Sequence, residues 1–243
     1  MTTTTQWCYA SENEARQSLI DCCRGFAGLG LNQGKSGNAS LRWHRGAREG
    51  MLITPSGLAY EVTGVDDIAW VALVQPEPSS VESGAVLGAP AHYDGPRTPS
   101  SEWRMHRDIF LARPEAQAIV HVHSPFATSL ACTPRIQREG ITAFHYMVAV
   151  AGGADIRCAP YATFGTQALS EAALVALRGR RACLLANHGQ IAWGTDLDRA
   201  LALAREVETL SQHYWQALQL GEPARLDQDE MARVLAAFDR YGR

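Results

Sequence analysis

The run Ile119-Val120-His121-Val122-His123 constrains this chain more than any other stretch. Side chains alternate across a β-strand, so His121 and His123 share one face while Val120 and Val122 point into the opposite layer. On a helix the same two-residue spacing would splay the imidazoles apart. A lone histidine on an apolar face reads best as a hydrogen-bonded core residue. Two imidazoles on one face of a buried strand call for a shared partner, and a divalent metal is the usual one. A catalytic site of that kind takes three protein ligands and keeps one position open. His188 is the best third ligand, because it sits in the turn Asn187-His188-Gly189 directly after the apolar run 182–186. His145 competes with it. His44 and His92 fall in loop stretches, and His106 and His213 in helical patterns with exposed or structural roles. The six cysteines, at 8, 22, 23, 132, 158 and 183, contain no two-residue gap of the zinc-ribbon kind. They read as small reduced core residues of a reducing compartment. Glu102 precedes His121 by one helix and one turn, a connection that brings a carboxylate beside the strand. A carboxylate at a helix start also fits plain dipole electrostatics.

The remaining pattern interleaves strands and helices. Residues 12–29 repeat apolar positions at spacings of three and four. Strands are expected at 38–43, 51–54, 66–74, 118–123, 182–186 and 191–193, with a turn at 44–50. Helices are expected at 102–112 (capped by Ser100 and Ser101), at 170–177 (capped by Ser170), at 197–220 and at 227–241, with a helical turn from Phe126. The segment 143–150 is ambiguous. Residues 75–99 carry five prolines and several glycines, and read as a surface excursion with a short strand at 85–87. This alternation says α/β or α+β. A loose tail is expected over 1–11 and a single domain over 12–243.

A formal net charge of -3 without any basic block argues against nucleic acid or anionic membrane as partner. The N-terminus has neither a basic nor an apolar signal region, and no stretch reaches the roughly 20 apolar residues of a membrane span. A cytoplasmic protein is expected.

At these residues the chain resembles the class II aldolase and adducin family. The motifs run in order: Gly28-Leu29-Gly30-Leu31-Asn32-Gln33-Gly34, Ser36-Gly37-Asn38-Ala39-Ser40, Ile53-Thr54-Pro55-Ser56-Gly57, Ser100-Ser101-Glu102-Trp103, His121-Val122-His123 and Asn187-His188-Gly189. The stretches 143–147 and 159–166 and the ending 237–242 are similar to the fuculose-phosphate branch of that family. The resemblance covers nearly the whole chain from about residue 12, and six motifs in the right order are specific where each alone is weak. It implies a three-layer α/β/α sandwich around a mostly antiparallel mixed sheet, assembled as a homotetramer with interfacial active sites. It implies Zn²⁺ held by His121, His123 and His188, with Mn²⁺ or Co²⁺ as acceptable substitutes. Glu102 becomes the acid/base and a fourth metal ligand at rest. Gly37, Asn38, Ser56, Gly57, Ser100 and Ser101 become the phosphate pocket, Asn38 and the serines through side-chain donors. Tyr146 becomes the tyrosine that reaches in from a neighbouring subunit, and His145 a structural neighbour. Phe164 and Tyr241 are candidates for the aldehyde pocket, and Lys35 lies beside the phosphate loop.

The implied reaction is cleavage of a ketose 1-phosphate, such as L-fuculose 1-phosphate, to dihydroxyacetone phosphate and an aldehyde through a metal-stabilised enediolate. The stretch 75–99 and the link from His123 to Tyr146 look longer than in that branch, which bears on the identity of the sugar. The same scaffold would serve an aldolase of 5-deoxypentulose phosphates, a pentulose-phosphate 4-epimerase, a decarboxylase of 3-oxo-tetronate phosphates or a methylthioribulose-phosphate dehydratase. A non-enzymatic adducin-like module is disfavoured by the retention of all three histidines and Glu102. A cupin is disfavoured because Ala127 and Thr128 stand where its glutamate is needed.

Overall fold

The computed structural model describes residues 9–74, 88–238 and residue 240. The expected strand at 85–87, most of the expected tail and Tyr241 lie outside these residues. Helix α1 (Glu12–Gly28) starts where the Ser11 hydroxyl accepts the Glu14 N–H, and it buries Ala15, Leu19, Ile20, Cys23 and Phe26 along one stripe. Strands β1 (Asn38–Arg45) and β2 (Arg48–Ile53) follow as a hairpin, then β3 (Ala69–Ala72) and β4 (Tyr93–Asp94). Next come α2 (Trp103–Ala112), β5 (Ala118–Val122), α3 (Pro125–Ala131), α4 (Pro134–Glu139), β6 (Cys158–Ala159) and α5 (Gln167–Ala176). The chain then forms β7 (Ala182–Leu185), β8 (Gly189–Gly194), α6 (Leu197–Leu220) and α7 (Gln228–Phe238).

The strands make an eight-stranded sheet in the order β4-β3-β2-β1-β5-β8-β7-β6, antiparallel throughout except for the β6–β7 pair. A buried cluster lies on each face. Ala118, Val120 and Val122 of β5 pack with α1, α3 and α6, whereas Ile119 packs on the other face with Trp103, Ile109 and Phe110 of α2 and Leu169 and Ala173 of α5. The result is the expected three-layer arrangement. Strand alternation puts His121 and His123 on the α2 side, with Ile119.

Several boundaries differ from the sequence expectation. The turn expected at 44–50 shrinks to two residues, because β1 pairs with β2 out to Arg45↔Arg48. Residues 65–67 form a short 3-10 turn instead of strand, held where Asp67 accepts the Gly64 N–H. The ambiguous 143–150 stretch becomes a 3-10 helix at Tyr146–Ala151. Helix α5 begins three residues earlier than expected, capped by Thr166, which frees the buried Ser170 hydroxyl to bond Asp108 Oδ2 at 2.7 Å. Glu102 itself holds the N-cap position of α2, and Ser100 bonds the Glu102 N–H instead of capping the helix.

Buried Arg42 ties β1 to α2. Its guanidinium donates to the carbonyls of Phe110 at 2.6 Å, Arg113 at 3.1 Å and Ala116 at 2.9 Å, and it pairs with Glu49. Carbonyls at and just beyond the C-terminal end of α2 therefore meet a fixed cation. Arg42→Met takes the guanidinium donors from the Phe110 and Ala116 carbonyls and leaves the Arg113 carbonyl only the Ala116 N–H, and is expected to lower the unfolding free energy by about 2–4 kcal/mol. The urea midpoint measures it.

Candidate metal centre

Four segments meet at one end of the sheet. β5 arrives with His121, and His123 follows its last residue. The turn between β7 and β8 supplies His188. β1 starts there with Asn38 opposite His121, and α2 starts there after Glu102. The His121 and His123 Nε2 atoms lie 3.0 Å apart. Ring centroids of the three imidazoles are separated by 4.8–4.9 Å at interplanar angles of 71–73°, a near three-fold propeller. One nitrogen from each ring falls within 4.8 Å of the others, the grouping a single metal ion requires. His145 is not part of it. It caps the 3-10 helix by accepting the Met147 N–H at 3.2 Å and stacks on Tyr146.

The hydrogen bonds fit these rings to a cation. His121 Nδ1 lies 2.8 Å from the Gln190 carbonyl, which can only accept, so Nδ1 carries a proton. Nε2 then aims inward, 3.0 Å from Glu102 Oε2. Two lone-pair-bearing atoms at that distance repel unless a proton or a cation lies between them. Glu102 Oε1 is buried without a hydrogen bond, 3.3 Å from His188 Nε2. An orphaned carboxylate oxygen facing three converging imidazoles fits a divalent ion.

The electrostatics agree. Burial raises the Glu102 carboxyl, but the neighbouring His121, then His188 and Asn38, outweigh it and hold the group below the usual carboxylate range. Burial opposes charge on His121, yet the Glu102 carboxylate raises it. Burial, with repulsion from His121, pushes His123 down to about 3 and His188 to about 4. Those two rings are therefore neutral near pH 7, the form that binds metal.

Close backbone approach makes the centre compact. A Cβ on Gly189 would meet the Val122 carbonyl at 2.5 Å and His123 Cδ2 at 3.0 Å. Gly37, at φ 78°, has the His121 carbonyl 2.6 Å from where a Cβ would sit.

A cavity of about 350 Å³ opens beside the centre. Gly37, Asn38, Ser56, Gly57, Ser100 and Ser101 all line it, with Glu102, His123 and His188. The Asn38 amide bonds Glu102 through one of its two N–H groups and His106 through its oxygen, and it lines the cavity as well. Lys35 reaches across the mouth to the Gly57 carbonyl at 2.9 Å, and Tyr161 and Phe164 form an aromatic flank. Tyr146 is half exposed and lies elsewhere, stacked on Phe238 above a depression lined by Met147 and Val234.

Four buried or bridging residues around the centre were given no role in it by sequence reasoning. His106 is fully buried behind Glu102, and its i+4 spacing from that residue was the available signal. Asn32 accepts the His123 N–H at 2.9 Å and donates to the Ser36 carbonyl, which joins the metal strand to the glycine loop. Gln190 bonds Ser124 and the Ala204 carbonyl, and Glu208 caps α3 through the N–H groups of Phe126 and Ala127. Nothing in the local pattern marks the last three.

The family model "Class II Aldolase and Adducin N-terminal domain" matches residues 17–215. The chain is 49% identical over 227 residues to the 5-methylthioribulose-1-phosphate/5-deoxyribulose-1-phosphate aldolase of Rhodospirillum rubrum, covering 93% of this chain and 92% of that protein. It is 42% identical over 231 residues to the L-fuculose phosphate aldolase of Escherichia coli, covering 95% and 96%. Among solved structures, an L-fuculose 1-phosphate aldolase superposes with a TM-score of 0.78 at 36% identity, covering 92% and 95%.

Gly189→Ala forces the β7–β8 turn away from β5 and shifts His188 from the other two rings. Metal affinity, followed by competition with a chromophoric chelator, is expected to fall about 10–100-fold with the fold retained by circular dichroism.

Proposed function

The chain belongs to the class II aldolase and adducin family and is a metal-dependent aldehyde-lyase, and from that premise we propose that it cleaves a 5-deoxy- or 5-methylthio-pentulose 1-phosphate between its third and fourth carbons. The products are dihydroxyacetone phosphate and acetaldehyde from the 5-deoxy sugar, or methylthioacetaldehyde from the 5-methylthio sugar. One observation carries the reading: three imidazoles and an orphaned carboxylate oxygen converge at the wall of a cavity whose far side is serine and glycine loop. The sugar rests on similarity, since the relative named for those pentulose phosphates is 49% identical and the one named for fuculose phosphate 42% over like coverage. L-Fuculose 1-phosphate is the second reading, supported by the latter relative and by the matching fold at a TM-score of 0.78.

His121, His123 and His188 would hold the ion, which is Zn²⁺ by its preference for three imidazoles and an open fourth position, with Mn²⁺ or Co²⁺ able to substitute. When bound, it supplies Lewis-acid charge to the donor's carbonyl oxygen. Glu102 carries the proton to and from the donor carbon, since it is buried, ionised and held on one side by Asn38, with its second oxygen free. The backbone at Gly37 and Gly57 and the hydroxyls of Ser56, Ser100 and Ser101 bind the phosphate. The last two stand just ahead of α2, whose dipole favours an anion. Tyr161 and Phe164 flank the aldehyde end, where a methyl or methylthio group gains from an aromatic wall. Tyr146 serves the cleft of a neighbouring subunit, exchanging the proton of the fourth-carbon hydroxyl. Its half-exposed ring outside its own chain's cleft supports that role. A homotetramer and a cytoplasmic setting complete the proposal. The described cysteines are free thiols, and no helix among the described residues is long and apolar enough to cross a membrane.

Incubation of the purified protein with 5-methylthioribulose 1-phosphate, 5-deoxyribulose 1-phosphate and L-fuculose 1-phosphate, with products identified by mass, tests the reading. Dihydroxyacetone phosphate is expected from all accepted sugars, with the highest kcat/KM on the first two. Recovery of an epimer, carbon dioxide or a dehydrated ketone would overturn it. His188→Ala is expected to lose bound metal and activity together. Glu102→Gln is expected to keep the metal and lose turnover by about 10²–10⁴-fold. Tyr146→Phe is expected to slow cleavage more than tritium exchange at the donor carbon, and equal losses would count against its assignment.

A further inference from the structure

Behind Glu102 runs a chain of four buried polar side chains from two elements. Ser40 and Asn38 alternate onto one face of β1. Glu102 and His106 fall four apart at the start of α2 and share one face. Ser40 Oγ lies 2.6 Å from His106 Nδ1, His106 Nε2 lies 2.6 Å from Asn38 Oδ1, and Asn38 Nδ2 lies 2.9 Å from Glu102 Oε2. Ser40 and His106 are 0% exposed, Asn38 4% and Glu102 6%. A layer meant only for packing would put apolar groups at Ser40 and His106, because each buried polar group must be satisfied.

The direction of the chain follows from donor and acceptor chemistry alone. An ionised carboxylate only accepts, so it meets the NH₂ end of the Asn38 amide. The amide oxygen therefore faces His106, whose Nε2 must carry the proton. His106 Nδ1 is then a bare acceptor, and the Ser40 hydroxyl must donate to it. Burial supports a neutral ring, pushing the His106 imidazole down to about 3. Every bond points the same way and ends on Glu102 Oε2, and aligned bonds of this kind polarise one another.

We propose that His106 is a positioning residue: locked by Ser40 as the Nε2–H tautomer, it keeps the Asn38 amide from rotating and so holds Glu102 Oε2 in place while Oε1 stays free. Without the lock, the ring can adopt its Nδ1–H tautomer. Asn38 then turns its oxygen toward the carboxylate, and attraction becomes repulsion beside the metal centre. Asn38, expected from sequence to bind phosphate with its side chain, also holds Glu102 through one of its two amide N–H groups. The inference rests on the reading of Glu102 as the proton carrier.

The test compares metal-loaded wild type with Ser40→Ala, Ser40→Thr, His106→Gln and Glu102→Gln. Ring ¹⁵N shifts in histidine-labelled protein report the tautomer, with the His106 signal assigned by its loss in His106→Gln. Steady-state kinetics use whichever ketose 1-phosphate the protein cleaves. An Nε2–H ring with an accepting Nδ1 is expected in wild type, and a shift toward Nδ1–H in Ser40→Ala. The expected kinetic effect of Ser40→Ala is a fall in kcat of about 10–100-fold with KM within about twofold, and recovery of both tautomer and kcat in Ser40→Thr. An Nδ1–H ring in wild type overturns the proposal. So does normal kcat in Ser40→Ala despite a changed tautomer, or in His106→Gln. Glu102→Gln separates the two readings. If it is inactive while Ser40→Ala and His106→Gln are normal, the positioning role fails and the proton carrier stands. If it turns over normally, the proton carrier fails, whatever the tautomer shows.

Discussion

A carboxylate taken out of water needs compensating partners, and the candidate site is organised around that need. Glu102 is 6% exposed. In free solution its charge would be hydrated. Here one oxygen takes the Asn38 amide and the inward face of His121, and the other meets only the edge of His188. Removing any partner would leave a buried charge exposed to a low-dielectric surrounding. The three imidazoles have the complementary need, since they crowd within a few ångströms and cannot all be cationic. A site that is anionic on one side and rich in neutral nitrogen on the other is poised for a divalent cation, with the His121 ring already oriented by the Gln190 carbonyl.

The scaffold holds those groups through bonds that are mostly distant from them in sequence. Arg42 anchors the far end of α2 and thereby the direction in which its first turn, with Glu102, enters the site. Asn32 joins the strand carrying His123 to the glycine loop, so the metal end and the loop side of the cavity share one fastening. Glu208 caps the helix that follows His123, and Gln190 spans from β8 to α3 and α6. Gly189 and Gly37 permit the backbone approaches that bring the segments close enough. Loops rich in small residues form the cavity wall, while the candidate ligands sit on or at the ends of β5, β7 and α2.

Much of this was legible in order of residues. The apolar repeats of α1 and α6, the alternation around His121 and the turn before His188 each carry a local signal that survives in the folded chain. Expected boundaries failed where a tertiary partner overrode local preference. Ser170 looked like a cap and became a buried partner of Asp108, because Thr166 took the capping position. The hairpin turn shortened because cross-strand pairing continued to Arg45 and Arg48. His106 was read as exposed or structural, since one histidine in an amphipathic helix shows nothing of what faces it across the layer.

Sequence alone determined the chemistry available: three imidazoles and a carboxylate in strand, turn and helix-start contexts, and serine-glycine loops suited to an anion. Those are properties of residue type and short-range spacing. Tertiary structure decided which of the eight histidines converge, that His188 and not His145 completes the triad, and that Asn38 serves Glu102. The reason is that convergence depends on the pairing of β1, β5 and β8 and on the packing of α2 across them, contacts between residues tens of positions apart that no local pattern encodes.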